Sequence, residues 1–217
     1  MPQDFVHLHV HSQYSILDGQ ASIGNLLKKD MADGMQGMAL TDHGNMMGVK
    51  EFYNEAKKAI GKAKESLKKA QEEGGSEEQI AKLQRAAAFK PILGCEMYVA
   101  RRTLKDKKDK TDQSGYHLIV LAKNSVGYHN LIKLVSKAWV DGFYMRPRTD
   151  HEELAKYREG LIVCSACLGG EIPRNILKDD IDKAKEAARW FKSIFGDDYY
   201  LELQRHEVKD PSIQANR

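Results

Sequence analysis

Long apolar runs and an export signal are both missing from this sequence. A transmembrane helix needs about 20 consecutive apolar residues, and no such run occurs in the 217 residues. The first residues, MPQDFVHLHV, lack the basic-then-apolar layout of a signal peptide. We therefore expect a cytoplasmic protein without a membrane partner.

Cysteine is scarce, and the three that occur are an odd number in a chain without an export signal. This argues against a disulfide framework and predicts reduced thiols. Cys164 and Cys167 have C-x-x-C spacing, but no second pair follows to complete a zinc module, and Cys164 ends a strand instead of beginning a helix. We expect Cys167, in a Gly-rich loop, to be a metal ligand and Cys95 and Cys164 to lie in the core.

The charge balance is too even to identify a partner. A net charge of +3 does not by itself indicate nucleic-acid binding. With 41% hydrophobic and 30% charged residues, the chain is typical of a globular protein with one large core or two small ones.

Short apolar segments alternate with amphipathic helical patterns, which is typical of β/α architecture. The predicted strands are 5–10, 37–41, 91–99, 117–122, 160–164 and 198–203. The predicted helices are 23–33, 48–72, 77–88, 126–139, 151–157 and 180–195. The Lys/Glu-rich stretch 59–88 is interpreted as a solvated helical insertion or, alternatively, as a partner surface. Six strands fit either an open sheet or a fragment whose last β/α unit lies beyond Arg217.

Residues of metal-ligand type follow several of these strands. His7, His9 and His11 alternate in HLHVHS, so a strand would place them on one face. Neutral imidazole is the commonest transition-metal ligand, although an isolated His-x-His is also typical of a solvated strand edge. His43 in TDHG follows the second predicted strand, and Glu96 in GCE lies in the third. In β/α folds such strand ends meet at one rim, which predicts a metal site there.

His117 begins its predicted strand instead of ending it. The segment 101–115 is short and polar, and it has no helical pattern that could form a right-handed crossover. An antiparallel return would place His117 beside Glu96. The alternative is a histidine that only packs at the start of a strand.

Two basic stretches are candidate DNA contacts. RRTLKDKKDK contributes Arg101 and Arg102, and GFYMRPR contributes Arg146 and Arg148 beside aromatic residues. The alternatives are a solvated lysine-rich loop and aromatic side chains packed under the turn at Pro147.

Seven motifs carry a resemblance to a known family. HLHVHSQYSILDG, TDHG, PILGCE, YHLIVLAKN, GFYMRPR, CLGGEIP and YYLELQRH occur in this order. Together they resemble the amino-terminal PHP (polymerase and histidinol phosphatase) domain of bacterial replicative DNA polymerase III alpha subunits. The resemblance covers residues 1–217 apart from the insertion at 59–88. It implies an α/β fold, a distorted (β/α)7 TIM-like barrel, here without its last β/α unit.

The resemblance also implies a ligand set for up to three divalent metal ions. The implied ligands are His9, His11, Asp18, His43, Glu96, His117 and Cys167. Asp18, His43 and Glu96 would have catalytic roles, Asp42 would orient a ligand, and His7 falls outside the pattern. The family's late Asp-x-His motif is missing, because LQRHEVKDP has His206 and Asp210 without that spacing. We therefore expect the last strand, two ligands and the polymerase domains to follow Arg217.

Nitrogen, oxygen and sulfur ligands together suit zinc, manganese or iron better than magnesium. The resemblance implies phosphoester chemistry, with 3′→5′ exonuclease proofreading of a DNA primer end as the leading hypothesis. One alternative is a metal-stabilised structural domain that supports the polymerase core and binds a proofreading partner or other replicase subunits. The other is a small-molecule phosphatase of the histidinol-phosphate type.

Overall fold

The computed structural model describes residues 5–204. Their contacts divide the chain into two units: a first unit of Met1–Asp42 and Met46–Gly94, and a second unit of His43–Asn45 and Cys95–Arg217. Helices and a sheet with parallel strand pairs give a mixed α/β fold, which confirms the predicted fold class at that level. No helix in residues 5–204 is both long enough and apolar enough to cross a membrane.

The first unit pairs its strands in parallel beside three helices. Its elements are α1 (Ile23–Ala32), β1 (Gly37–Leu40), α2 (Val49–Glu72), α3 (Glu77–Ala87) and the beginning of β2 (Lys90–Val99). Strand β1 pairs with β2 from Gly37↔Lys90 to Leu40↔Leu93. Helix α1 begins where predicted, because the Ser22 hydroxyl accepts a hydrogen bond from the backbone N–H of Asn25.

The predicted helical insertion is a hairpin of two helices. Helix α2 continues without a break through 59–72, and a turn at Gly74 (φ +73°) leads to Ser76, which caps α3 by accepting from the Gln79 N–H. No residue of α3 is buried. The hairpin therefore exposes the charged surface that the sequence predicted.

The predicted strand at 5–10 is wrong as a regular element. Within it only His7 forms an isolated bridge, in parallel with Met38. Two backbone hydrogen bonds hold the segment against β1, from Ala39 N to His7 O (2.7 Å) and from Thr41 N to Val10 O (2.9 Å). Residues 5–11 thus follow β1 without becoming a full strand of the sheet.

The second unit contains the end of β2 and most of the remaining elements. They are β3 (Tyr116–Ala122), α4 (Ser125–Val140), β4 (Arg148–Thr149), α5 (His151–Lys156), β5 (Leu161–Cys164), α6 (Glu171–Ile176), α7 (Ile181–Phe195) and β6 (Tyr199–Tyr200). The strand order is β2-β3-β5-β6, with β4 paired to β2. Pairing is parallel for β2 with β4 and for β5 with β6, and antiparallel for β3 with β5.

Strand β3 returns beside β2 in the opposite direction, as predicted. A Cβ on Gly115 would lie 2.5 Å from the Val99 carbonyl oxygen. His117 comes two residues after Gly115, and it contacts Glu96, which comes three residues before Val99. Successive residues of β3 therefore contact successively earlier residues of β2, which means that the two strands are antiparallel. This return places His117, at the beginning of its strand, next to Glu96.

Four predicted strands agree with the structure within one residue: β1, β2, β3 and β5. The strand predicted at 198–203 shortens to the two residues of β6. The two-residue β4 and the six-residue α6 were not predicted. His206 and Asp210 lie outside the described residues.

Candidate metal centre

Three predicted ligands meet in the second unit. His43 Nδ1 lies 2.5 Å from Glu96 Oε2, and His117 Nδ1 lies 2.9 Å from Glu96 Oε1. One donor atom from each of the three residues lies within 4.8 Å of the others. The three side chains therefore fit a common metal ion.

Cys167 adds a sulfur to this cluster. Its Sγ lies 3.6 Å from His117 Nδ1 and 3.7 Å from Glu96 Oε1, and it accepts from the Gly169 N–H at 3.4 Å. A Cβ on Gly169 would lie 2.8 Å from His117 Cγ, so the loop can close over the imidazole only with glycine there. We call His43, Glu96, His117 and Cys167 the second-unit cluster.

The other two cysteines are buried, as expected. Cys95 is fully buried, and burial raises the pKa of the Cys164 thiol to about 12. All three cysteines are free thiols. Cys167 is thus the cysteine positioned among candidate ligands, whereas Cys164 stays protonated in the core.

The electrostatics of the cluster centre on Glu96, whose side chain is only 1% exposed. Burial by itself lowers the pKa of His117, but hydrogen bonds with Cys167 and Glu96 outweigh it and raise the pKa to about 9. The buried carboxylate therefore favours positive charge beside it, which is the charge that a metal ion supplies.

The TDHG turn carries His43 into the cluster. His43 forms a parallel bridge with Glu96, and the Gly44 N–H donates to the Glu96 carbonyl oxygen at 2.8 Å. Gly44 has φ +61°, and a Cβ there would lie 2.7 Å from Pro147 Cγ. Only glycine combines this left-handed backbone with the close approach to Pro147.

The first unit holds a second pair of predicted ligands. His9 Nε2 and His11 Nε2 lie 3.1 Å apart, and His11 Nδ1 contacts the Ser15 hydroxyl at 3.0 Å. The Ser15 hydroxyl donates to Asp42 Oδ1 at 2.7 Å. His11 is therefore oriented through its other ring nitrogen, as metal-bound histidines commonly are.

Asp42 is the buried hydrogen-bond acceptor of this network. Besides the Ser15 hydroxyl, it accepts from the Ser12 N–H (2.7 Å) and from the Ser12 hydroxyl (2.9 Å). The role of Asp42 in orienting a ligand stays a prediction; in this arrangement the Ser15 hydroxyl lies between Asp42 and His11. Sequence reasoning missed Ser12 and Ser15, because no spacing pattern connects two serines to a carboxylate some thirty residues away.

Asp18 lies in the turn that follows, where its backbone N–H donates to Ser15 O at 3.0 Å. Its side chain is exposed. The ligand and catalytic roles of Asp18 stay a prediction.

The candidate DNA contacts fall into two groups. Arg148 is fully buried and donates to the carbonyl oxygens of Gly142, Asp112 and Leu104, which contradicts its predicted contact with DNA. Arg102 is partly neutralised by Asp112, whose Oδ2 lies 2.7 Å away. Both residues hold the polar loop together, because a planar guanidinium can satisfy several acceptors at once.

Arg101 and Arg146 are exposed and lie over aromatic rings. The Arg101 guanidinium is 5.0 Å from the Tyr116 ring centroid, and that of Arg146 is 5.8 Å from Tyr98. These two arginines remain available to an anionic ligand.

Comparison with known proteins identifies the family. The PHP domain family matches residues 7–206, and the chain belongs to it. Over nearly its whole length the chain is also similar to "DNA polymerase III subunit alpha" of several bacteria. It is 46% identical to that of Borreliella burgdorferi over 214 residues, which are 98% of this chain and 16% of the relative.

Two further relatives have the same name. The chain is 41% identical to the subunit of Treponema pallidum over 95% of its own length and 15% of the relative. It is 38% identical to that of Aquifex aeolicus over 100% of its own length and 17% of the relative. The chain thus spans about a sixth of the length of these relatives.

Proposed function

We propose that this chain is a metal-dependent phosphoesterase domain of a DNA polymerase III alpha subunit, and that it removes nucleotides from a 3′ primer end. One observation carries the proposal: His43, Glu96 and His117 bring three donor atoms within 4.8 Å, with the Cys167 sulfur beside them. The histidines, the buried carboxylate and the thiol form a mixed ligand set that suits zinc, manganese or iron.

The remaining predicted ligands, His9, His11 and Asp18, belong to the same proposal. Bound divalent ions would supply an activated water and neutralise charge on the scissile phosphate. Ser15 and Asp42 hold the His11 ring through its Nδ1, which leaves Nε2 as the metal-binding nitrogen. Glu96 contacts both His43 and His117 and fixes their orientation. Asp18, His43 and Glu96 are the proposed catalytic residues.

The wider assignments rest on the family and on the named relatives. We infer a distorted (β/α)7 barrel for the complete domain, a parent protein with DNA polymerase activity, and a cytoplasmic location. Primer-template DNA, the other polymerase domains and other replicase subunits are the proposed partners. The bacterial relatives that share this name support these assignments.

The test combines metal content with primer degradation. The proposed parent polymerase subunit that contains this chain, loaded with zinc, manganese or iron and without nucleotides, is incubated with a single-stranded DNA labelled at its 5′ end. We expect 3′→5′ shortening that chelator abolishes. His117→Asn, which removes a cluster nitrogen, should lower bound metal and reduce cleavage by about 100-fold or more.

His129→Asn is the matched control, because His129 is exposed on α4 and its ring contacts the Ser125 carbonyl oxygen and the Tyr128 ring, neither of which belongs to the second-unit cluster. It should leave metal content and cleavage unchanged. Cleavage that persists in His117→Asn, or that does not depend on metal, would refute the proposed nuclease.

A structural role is the second candidate, and the burial of Glu96 favours it. A ligand with 1% exposure is typical of closed sites that bind metal for stability. On this reading the loaded chain binds metal through the second-unit cluster but cleaves neither DNA nor a small phosphate monoester. Cleavage of the monoester alone would instead indicate a small-molecule phosphatase.

A further inference from the structure

An exposed apolar surface lies at the end of helix α4 in the second unit. The Trp139 and Phe143 rings stack with centroids 5.6 Å apart and planes 19° apart, and both remain more than 40% exposed. Beside them Val140 is 80% and Met145 66% exposed. Large apolar groups clustered at the surface in this way commonly mark a binding site.

This surface is joined to the second-unit cluster through the backbone. The Trp139 indole N–H donates to the Gly44 carbonyl oxygen at 2.8 Å, and Gly44 directly follows His43. The Gly44 N–H in turn donates to the Glu96 carbonyl oxygen. The Trp139 ring is therefore anchored to the turn that carries His43 into the second-unit cluster.

An exposed arginine follows the rings in the sequence. Arg146 is exposed, and no protein acceptor for its guanidinium is found in the described part of the chain. Its guanidinium lies 5.8 Å from the Tyr98 ring centroid, and the Tyr98 ring is 5.2 Å from that of His117. The nearby carboxylates of Asp141 and Glu153 both pair with Lys137, at 3.3 and 3.4 Å. Stacked rings with an available guanidinium match a nucleobase and its phosphate.

From these contacts we propose that Trp139 and Phe143 form a stacking platform for the terminal base of single-stranded DNA, while Arg146 binds an adjacent phosphate. The proposal deepens the proposed nuclease function and rests on it for the identity of the strand. It makes Trp139 and Phe143 the residues that position the 3′ end beside the second-unit cluster. A stacking platform accepts any base, which is what proofreading requires.

The test measures binding without hydrolysis. Fluorescence anisotropy with a labelled oligo(dT) of about ten nucleotides, in chelator, gives the affinity of the 217-residue chain. Trp139→Leu and Phe143→Leu should each weaken binding by about tenfold. Trp139→Phe keeps a ring and should retain most of the affinity. Arg146→Gln should weaken binding and flatten its salt dependence.

Base dependence separates stacking from charge. An oligonucleotide whose last bases are replaced by abasic linkers should bind the wild type about tenfold more weakly, whereas Trp139→Leu should not distinguish the two strands. Tyr200→Leu and Arg158→Gln alter an exposed aromatic and an exposed arginine elsewhere in the second unit and serve as controls. Circular dichroism checks that each variant is folded.

The platform is refuted if both leucine variants keep the wild-type affinity, or if the wild type binds abasic and normal strands equally. The exposed apolar surface would then be assigned to a protein partner. Because the assay needs no cleavage, base-dependent binding without nuclease activity would support the platform while refuting the nuclease. Nuclease activity without base-dependent binding would support the nuclease and refute the platform.

Discussion

At the scale of single residues, Glu96 connects the two histidines of the second-unit cluster, because each of its carboxylate oxygens contacts one of them. In metal-free protein, Glu96→Gln removes the negative charge that favours protonated His117. The pKa of His117 should fall from about 9 toward its ordinary value near 6.5, by about one unit or more. Titration of the imidazole resonances by NMR measures this shift.

The matched control is Glu153→Gln, which alters a carboxylate that pairs with Lys137 at 3.4 Å. It should leave the His117 titration unchanged. An unchanged titration in Glu96→Gln as well would mean that Glu96 does not hold His117 as described.

Asp30 gives a second prediction at this scale. The residue is buried on α1, and among residues 5–204 its Oδ2 has no hydrogen-bond partner. Burial raises the pKa of Asp30. The ionised side chain therefore lowers the free energy of unfolding above that pKa. This effect disappears at low pH, where Asp30 is protonated in both the folded and the unfolded chain. Asp30→Asn should therefore raise the melting temperature at pH 7 by about 2 °C, and by nothing near pH 3.

Thermal unfolding at the two pH values measures the Asp30 effect. Glu65→Gln is the control, because Glu65 is exposed in the middle of α2, where a surface carboxylate contributes little. A loss of stability in Asp30→Asn at pH 7 would contradict the prediction.

The TDHG turn leads to a prediction at the scale of elements. Gly44→Ala adds a Cβ at φ +61°, 2.7 Å from Pro147 Cγ, and should destabilise the protein by about 1–3 kcal/mol. It should also weaken metal binding, because His43 precedes the displaced residue. Urea unfolding and metal titration measure the two effects.

Gly61→Ala is the control for that substitution. Gly61 lies within α2, and a Cβ there meets nothing within 4 Å. Alanine should stabilise the helix by up to about 1 kcal/mol and leave metal binding unchanged. Equal effects of the two substitutions would show that the turn does not position His43.

Elements with a local signal were predictable from the sequence. Ser22, Asn124 and Asp180 accept hydrogen bonds from the first turns of α1, α4 and α7, and these helices begin within one residue of the predicted positions. The segment 5–10 alternates like a strand but forms only the His7 bridge. Strand β4 is too short for periodicity to show.

Some residues of the candidate site were predictable from the sequence and others were not. His117 was predictable because an antiparallel return was the alternative to a crossover that 101–115 could not form. The three carbonyl acceptors of Arg148 were not, since they come from loop residues whose positions depend on the folded backbone. A buried arginine and an exposed one look alike in GFYMRPR.

Metal should stabilise the whole molecule as well as its sites. Binding that is specific for the folded state adds RT ln(1 + [L]/Kd) to the free energy of unfolding, which is about 2.7 kcal/mol at 100 times Kd. For a chain of this length we expect chelator to lower the melting temperature by about 5–10 °C. Differential scanning fluorimetry, with and without added zinc, measures this change.

His117→Asn should abolish most of that chelator effect, while His129→Asn should retain it. A melting temperature that is indifferent to chelator in the wild type would argue against any resident ion in either unit.

The sulfur of Cys167 has a consequence for how the protein responds to oxidants. A thiol that is only partly buried is open to oxidation, and conversion to a sulfenic or sulfinic acid removes it as a soft ligand. Cys95 and Cys164 are protected by burial. Peroxide stress would therefore act on the second-unit cluster first, and thiol reductant would restore the protein only while damage stops at the sulfenic stage.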